Sequence, residues 1–368
     1  MNNYNTHNLV TFSNSFLKHF GVTPFHQTEE AVDEALKGHK KVVVLLFDGM
    51  GRNIVRKHLV ESSYIRKNYL CTINSTFPPT TTAATTAFLT GKYPIETGWM
   101  AWAQYFEKYN RNLILFRNTD YNTEEEVLPK DIANTELPIK TIIELINENN
   151  KDVSAFDIKR FPVDPTGPKT LKQLEKRINK TLKGLDKCFC YFYFDTPDRE
   201  MHVNGINVKK IHKLVNDIND MVERVTKENP DTLFFTFADH GHINVKFFDI
   251  CEHEDLYSLL RLPLTFEKRT PVFYVKDGEQ KKFVKLFMKY YGKYFDLLSK
   301  KEALDLQIFG EGKPSKMVES FIGDFVAPSI SKYCLYASKE MKDMKIFKGH
   351  HAGNTIEEMQ IDVSAYNV

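Results

Sequence analysis

The strongest constraint on this chain is the run Lys41-Val-Val-Val-Leu-Leu-Phe47, which ends on Asp48-Gly-Met50. An apolar, β-branched run without polar alternation is a strand buried on both faces, as in a parallel sheet covered by helices. Residues 153–156, Lys187-Cys-Phe-Cys-Tyr-Phe-Tyr-Phe194 and Leu233-Phe-Phe-Thr-Phe-Ala238 read as further strands. Between the last two, Ile211, Leu214, Val215, Ile218, Met221, Val222 and Val225 recur at helical spacing. Helices are also expected over 141–149 and 171–182. Alternating strands and helices predict an α/β fold with parallel pairing and right-handed crossovers. Two segments, 99–137 and 247–333, break this rhythm and read as cap segments inserted in a single domain spanning 1–368. The second holds a strand candidate at 271–275 and a helix candidate at 279–291.

Composition narrows the function classes. Fifty Lys and Arg against 48 Asp and Glu leave a net charge of +2, too little for a chain that lives on a nucleic-acid polymer. No stretch reaches the roughly 18 apolar residues of a membrane helix. The first seven residues are polar and show no basic-then-apolar leader, so a cytoplasmic location is expected. Five scattered cysteines do not form a disulfide framework, and Cys188 and Cys190 read as buried small residues rather than metal ligands.

Acidic and histidine residues stand just after the strands: Asp48, then Asp195 and Asp198 with His202, then Asp239 and His240. Lys348-Gly-His-His-Ala-Gly353 follows near the end of the chain. The carboxyl ends of parallel strands meet at one rim, where ligands bind. Carboxylates and imidazoles converging there suit a divalent metal such as zinc. Each residue alone has a plainer reading, since a strand-end Asp commonly caps a helix or turn; their joint placement carries the argument. A second signal is Phe77-Pro-Pro-Thr-Thr-Thr-Ala-Ala-Thr-Thr-Ala-Phe-Leu-Thr-Gly91, a hydroxyl cluster opening an alanine-rich helix. A helix N-terminus with free N–H groups cradles phosphate. Capping by Thr80, Thr81 or Thr82 explains one hydroxyl and not the cluster.

The run from Phe77 through Thr90-Gly-Lys-Tyr-Pro94 resembles the nucleophile segment of the nucleotide pyrophosphatase/phosphodiesterase branch of the alkaline phosphatase superfamily. Asp48-Gly-Met50, Asp198-Arg-Glu-Met-His202, Asp239-His-Gly241 and His351-Ala-Gly353 with Glu357-Glu-Met359 follow in that family's order. The resemblance implies a three-layer α/β sandwich with a mostly parallel central sheet. It implies two divalent metal ions, zinc or manganese, and a small phosphodiester or nucleotide substrate. Asp198, His202 and His351 would form one metal site, and Asp48, Asp239, His240 and the Thr81 hydroxyl the other. The family's spacing to Thr90-Gly91 selects Thr81 as nucleophile, and the following x-Gly selects His351 over His350. His242 falls where the family needs no ligand and reads as a supporting residue, while His19, His58 and His212 read as surface residues.

One departure stands out. Nucleotide-hydrolysing members carry an Asn about twenty residues after the nucleophile, where Trp102 stands here. Trp99 and Trp102 are the chain's only tryptophans and read as substrate-contacting residues or as anchors of the inserted segment. The expected activity is hydrolysis through a phosphothreonine ester on Thr81. Two dications can hold the attacking and leaving oxygens of an in-line displacement, and coordination activates the hydroxyl. The rivals are a phosphomonoesterase or mutase on the same core and a non-catalytic metal- or nucleotide-binding protein. A sulfatase is disfavoured, because the segment lacks a Cys or Ser followed by x-Pro-x-Arg.

Overall fold

The computed structural model describes residues 6–160, 163–340 and 347–368; the first five residues of the polar N-terminus lie outside this range. Six strands build the central sheet: β1 (Lys41–Phe47), β2 (Tyr69–Asn74), β3 (Ser154–Lys159), β4 (Cys188–Phe194), β5 (Leu233–Phe237) and β6 (Gln360–Tyr366). Their spatial order is β2-β6-β5-β1-β4-β3. The four strands anticipated from apolar runs, β5-β1-β4-β3, are mutually parallel. β6 runs antiparallel between β5 and β2. These two strands escape the sequence reading because β2 has mostly half-buried positions and β6 carries Asp362 and Ser364, so neither shows a continuous apolar run.

Both faces of β1 are covered, as its composition requires. On one face Phe12 and Phe16 of helix Leu9–His19 and Phe88 of helix Thr81–Thr90 pack against Phe189, Tyr191, Phe235 and Phe237. The first helix begins at a capping box made by Asn8 and Thr11. Helix Lys209–Glu228 buries the periodic stripe from Ile211 to Val225 and packs on helices Arg52–His58 and Leu171–Leu182. Cys188 and Cys190 are buried and unbridged. No helix among the described residues is long and apolar enough to cross a membrane.

The two inserted segments meet in a second, antiparallel sheet. Its strands follow the order Leu298–Ser299, Phe325–Val326, Thr270–Phe273, Thr265–Glu267, Ala103–Phe106, Arg111–Ile114 and Thr119–Asp120. Phe266 pairs with Ala103 where the segments join. The hairpin tip between Thr265–Glu267 and Thr270–Phe273 is Lys268-Arg269, and Arg269 and Thr270 reach Glu358 and Ala352 near the C-terminus.

Candidate metal centre and nucleophile

The register of the parallel strands aligns the candidate residues. Phe47 of β1 pairs with Phe194 of β4, and Leu46 with Phe237 of β5, so Asp48, Asp198 and Asp239 leave the sheet at one rim. Gly49 makes that turn possible: its φ is +71°, and a Cβ there would lie 2.9 Å from the Asp198 Cβ. Backbone hydrogen bonds knit the rim together, with the Asp198 N–H donating to the Asp48 carbonyl at 2.9 Å.

Thr81 is the first residue of its helix and Thr80 its N-cap, with no side-chain cap bond. The Thr81 hydroxyl lies 3.4 Å from each Asp48 carboxylate oxygen and 3.2 Å from His240 Nε2. Thr80 and Thr82 are buried, whereas Thr81 is half-exposed at the site. Of the three threonines the sequence offers, Thr81 has its hydroxyl at the carboxylate and imidazole.

Around this hydroxyl, His240 Nε2 stands 3.3 Å from Asp48 Oδ1 and 3.4 Å from Asp239 Oδ2. On the other side, Asp198 has His202 Nε2 and His242 Nε2 each at 3.3 Å and His351 Nε2 at 3.7 Å. A short two-stranded ribbon places the last two: Gly349–His350 pairs with Ile243–Asn244, with His350 opposite Ile243. The structure therefore brings Asp48, Thr81, Asp198, His202, Asp239, His240 and His351 together. It also places His242, read from the sequence as a supporting residue, inside the cluster. The alternation His240-Gly-His242 just before a strand was the available signal. His58 is likewise buried rather than on the surface, its ring nitrogen at 2.9 Å from the Ile206 carbonyl.

The donor set fits cations. Three groups of ligand atoms lie within 4.8 Å of one another: Asp198, His202 and His242; Asp198, His240 and His351; and Asp48, Asp239 and His240. Asp198 Oδ1, Asp239 Oδ2 and both His242 nitrogens are buried without a hydrogen-bond partner, an arrangement that costs free energy unless a cation takes those lone pairs. Three imidazoles are also set to ligate through Nε2. The Nδ1 atoms of His202, His240 and His351 face the carbonyls of Gly349, Gly241 and Pro79 at 2.9–3.0 Å. Donating Nδ1–H to a carbonyl leaves the Nε2 lone pair free for a metal.

Electrostatics point the same way. Burial, with the Asp48 carboxylate nearby, pushes Asp239 well above the usual carboxylate range. Burial also opposes a charge on Asp198, but His202 outweighs it and holds this carboxyl well below its ordinary value. Burial resists protonation of His240, yet Asp239 and Asp48 raise it to about 10. Burial lowers His242 to about 4 and, with His240, His351 well below its ordinary value. Carboxylates crowded at one point, which draw positive charge onto His240, with His242 and His351 kept neutral beside them, are what a divalent cation binds.

One contributor was not foreseen. Tyr193, on β4, donates its phenolic hydrogen to Asp48 Oδ2. The two tryptophans separate. Trp99 is 3% exposed and its indole N–H donates to the Leu137 carbonyl at 2.9 Å, so it anchors the inserted segment. Trp102 is half-buried, its ring under the Arg117 guanidinium at 5.4 Å, and its backbone N–H donates to Glu267 at 2.8 Å. Burial pushes Glu267 up to about 7.

The fold has solved relatives. Murine ectonucleotide pyrophosphatase / phosphodiesterase 5 superposes with a TM-score of 0.63 at 14% identity, covering 89% of this chain and 88% of that one. The human protein of the same name gives 0.64 at 12% identity, covering 89% and 87%. An inactive threonine-to-alanine form of the murine protein, in complex with AMP, superposes equally well at 0.63, 14% identity and the same coverage. The central sheet thus has the alkaline-phosphatase-like arrangement. No curated protein sequence matches the chain. The sequence profile of type I phosphodiesterase / nucleotide pyrophosphatase matches residues 42–354, and the chain belongs to that family.

Proposed function

We propose that this protein hydrolyses phosphodiester or pyrophosphate bonds in small molecules, nucleotides among them, with Thr81 as nucleophile. Asp48, Asp239 and His240 would hold one divalent ion and Asp198, His202 and His351 a second, with His242 beside them; zinc or manganese suits these donors. The carrying observation is the Thr81 hydroxyl, 3.4 Å from Asp48 and 3.2 Å from His240 at a helix N-terminus. The inactivity of the threonine-to-alanine murine relative, and its AMP complex, support this reading.

Bound dications neutralise phosphoryl oxygens and lower the pKa of a coordinated hydroxyl or water. The Thr81 oxygen bonds to phosphorus as the ester oxygen leaves with the electrons of its broken bond, and the hydroxyl proton passes to solvent or to the leaving group. Water then attacks the same phosphorus, the Thr81–phosphorus bond breaks, and the threonine recovers its proton. The helix N-terminus supplies backbone N–H groups and its positive dipole end to the phosphoryl oxygens. Tyr193 keeps Asp48 oriented throughout.

Rates on bis(p-nitrophenyl) phosphate, a nucleotide ester and p-nitrophenyl phosphate test this assignment. The diesters should turn over faster. A faster monoester would make the protein a phosphomonoesterase instead.

A further inference from the structure

The motif Glu357-Glu358-Met359 has no part in the chemistry above, yet Glu358 is fully buried at the centre of the ligand loops. We infer that Glu358, clamped by Arg269 from the inserted hairpin, is the positioning residue that sets His351 and His240 for metal binding. The inference rests on the metal-centre reading.

The connections are direct. The Glu358 carboxylate accepts the Gly353 N–H at 2.8 Å, two residues after His351, and the Thr355 hydroxyl at 2.6 Å. The Glu358 backbone carbonyl accepts the Gly241 N–H at 2.8 Å, one residue after His240. One residue therefore ties both histidine loops together. Arg269 has a side chain with no solvent exposure and grips the carboxylate with Nε at 2.6 Å and Nη2 at 2.7 Å. Two further N–H groups donate to the carbonyls of Ser331 at 2.7 Å and Tyr333 at 3.0 Å. Such a bidentate pair fixes geometry as well as charge.

The loop needs holding. Ala352, between His351 and Gly353, has φ +82°, a left-handed conformation that a residue with a Cβ adopts at a cost. Its carbonyl accepts the Thr270 hydroxyl, again from the hairpin. At Gly353 a Cβ would lie 2.5 Å from Arg269 Nη2, so the loop closes directly over the guanidinium. Hairpin and ligand loop are thus built against each other.

Removing one member of the pair would leave a buried charge and unfold the site, so the test uses replacements that avoid this. In Arg269→Met/Glu358→Leu the pair becomes apolar, and Gly353 and Thr355 lose their acceptor. In Arg269→Met/Glu358→Gln no charge is left buried and the acceptor for Gly353 remains. Zn2+ alone is titrated calorimetrically into the metal-stripped full chain, and melting temperatures are taken without metal. The inference expects Arg269→Met/Glu358→Leu to weaken at least one zinc-binding step by about 10- to 100-fold, the loss typical of groups that orient metal ligands. Arg269→Met/Glu358→Gln should restore most of it, whatever the order of the metal-free melting temperatures. Unchanged zinc affinities in Arg269→Met/Glu358→Leu would overturn the inference, as would affinities that merely follow the melting temperatures. A wild-type chain that binds no zinc would instead overturn the metal-centre reading itself.

Discussion

Tyr193 on β4 and Asp48 just past the end of the adjacent parallel β1 stand two residues apart in register, and the tyrosine hydroxyl donates to the carboxylate that faces Thr81. Burial, with Asp48 beside it, holds the Tyr193 hydroxyl well above its ordinary value, so it stays a donor. A hydrogen bond to a charged group contributes about 1.5–3 kcal/mol. Tyr193→Phe should therefore lower kcat/KM by roughly ten- to a hundredfold, measured on bis(p-nitrophenyl) phosphate. Wild-type kinetics would mean that Asp48 is oriented without it.

Selectivity among the neighbouring hydroxyls should be sharp. Thr81→Ala should lower turnover by several orders of magnitude, because it removes the attacking oxygen. Thr85→Ala loses only a bond from its hydroxyl to the Thr81 carbonyl at 2.6 Å and should keep most activity, as should Thr82→Ala. Steady-state rates of the three variants decide the matter. An active Thr81→Ala enzyme would refute the assignment.

The tryptophans should respond differently. Trp99→Ala empties a buried site and should cost about 3–5 kcal/mol, read as a lower melting temperature. Trp102 keeps an exposed part next to Arg117, where a base could stack for about 1–3 kcal/mol. Trp102→Ala should weaken kcat/KM for a nucleotide ester by roughly ten- to a hundredfold and barely touch a small aryl phosphate. Equal losses on both substrates would make Trp102 structural.

Away from the centre, His26 offers a pH test. Burial opposes its protonation, but the Glu96 carboxylate at 2.7 Å and Glu311 outweigh it and raise its pKa. A raised folded pKa stabilises the protein fully below the unfolded value of about 6.5, and that stability fades as pH rises through the folded value. The melting temperature of His26→Gln should thus fall furthest below wild type in mildly acidic solution, with the gap narrowing in alkali. A gap that widens with pH would reverse the sign.

Legibility in the sequence followed physical cause. Strands buried on both faces announce themselves as continuous apolar runs, so β1, β4 and β5 and the rim beyond them could be read directly. Strands β2 and β6 mix polar with apolar positions and pair through the C-terminus, which no local pattern reveals. Asp48, Asp198 and Asp239 were visible because they end strands. Tyr193 was not, since a tyrosine inside an aromatic strand looks like core until the register puts it beside Asp48. His242 depends on a two-residue ribbon too short to show a period. Likewise, nothing local tells that the hairpin bearing Arg269 returns to the C-terminal loop.

The central claim is a pair of dications serving Thr81, and one titration tests it most directly. Metal-stripped protein is titrated with Zn2+ while hydrolysis of bis(p-nitrophenyl) phosphate is followed. Three carboxylates and four imidazoles clustered around the Thr81 hydroxyl predict no turnover at the start and a rise that levels off at about two equivalents. Full activity in the metal-stripped protein, with no response to added zinc or manganese, would contradict the account.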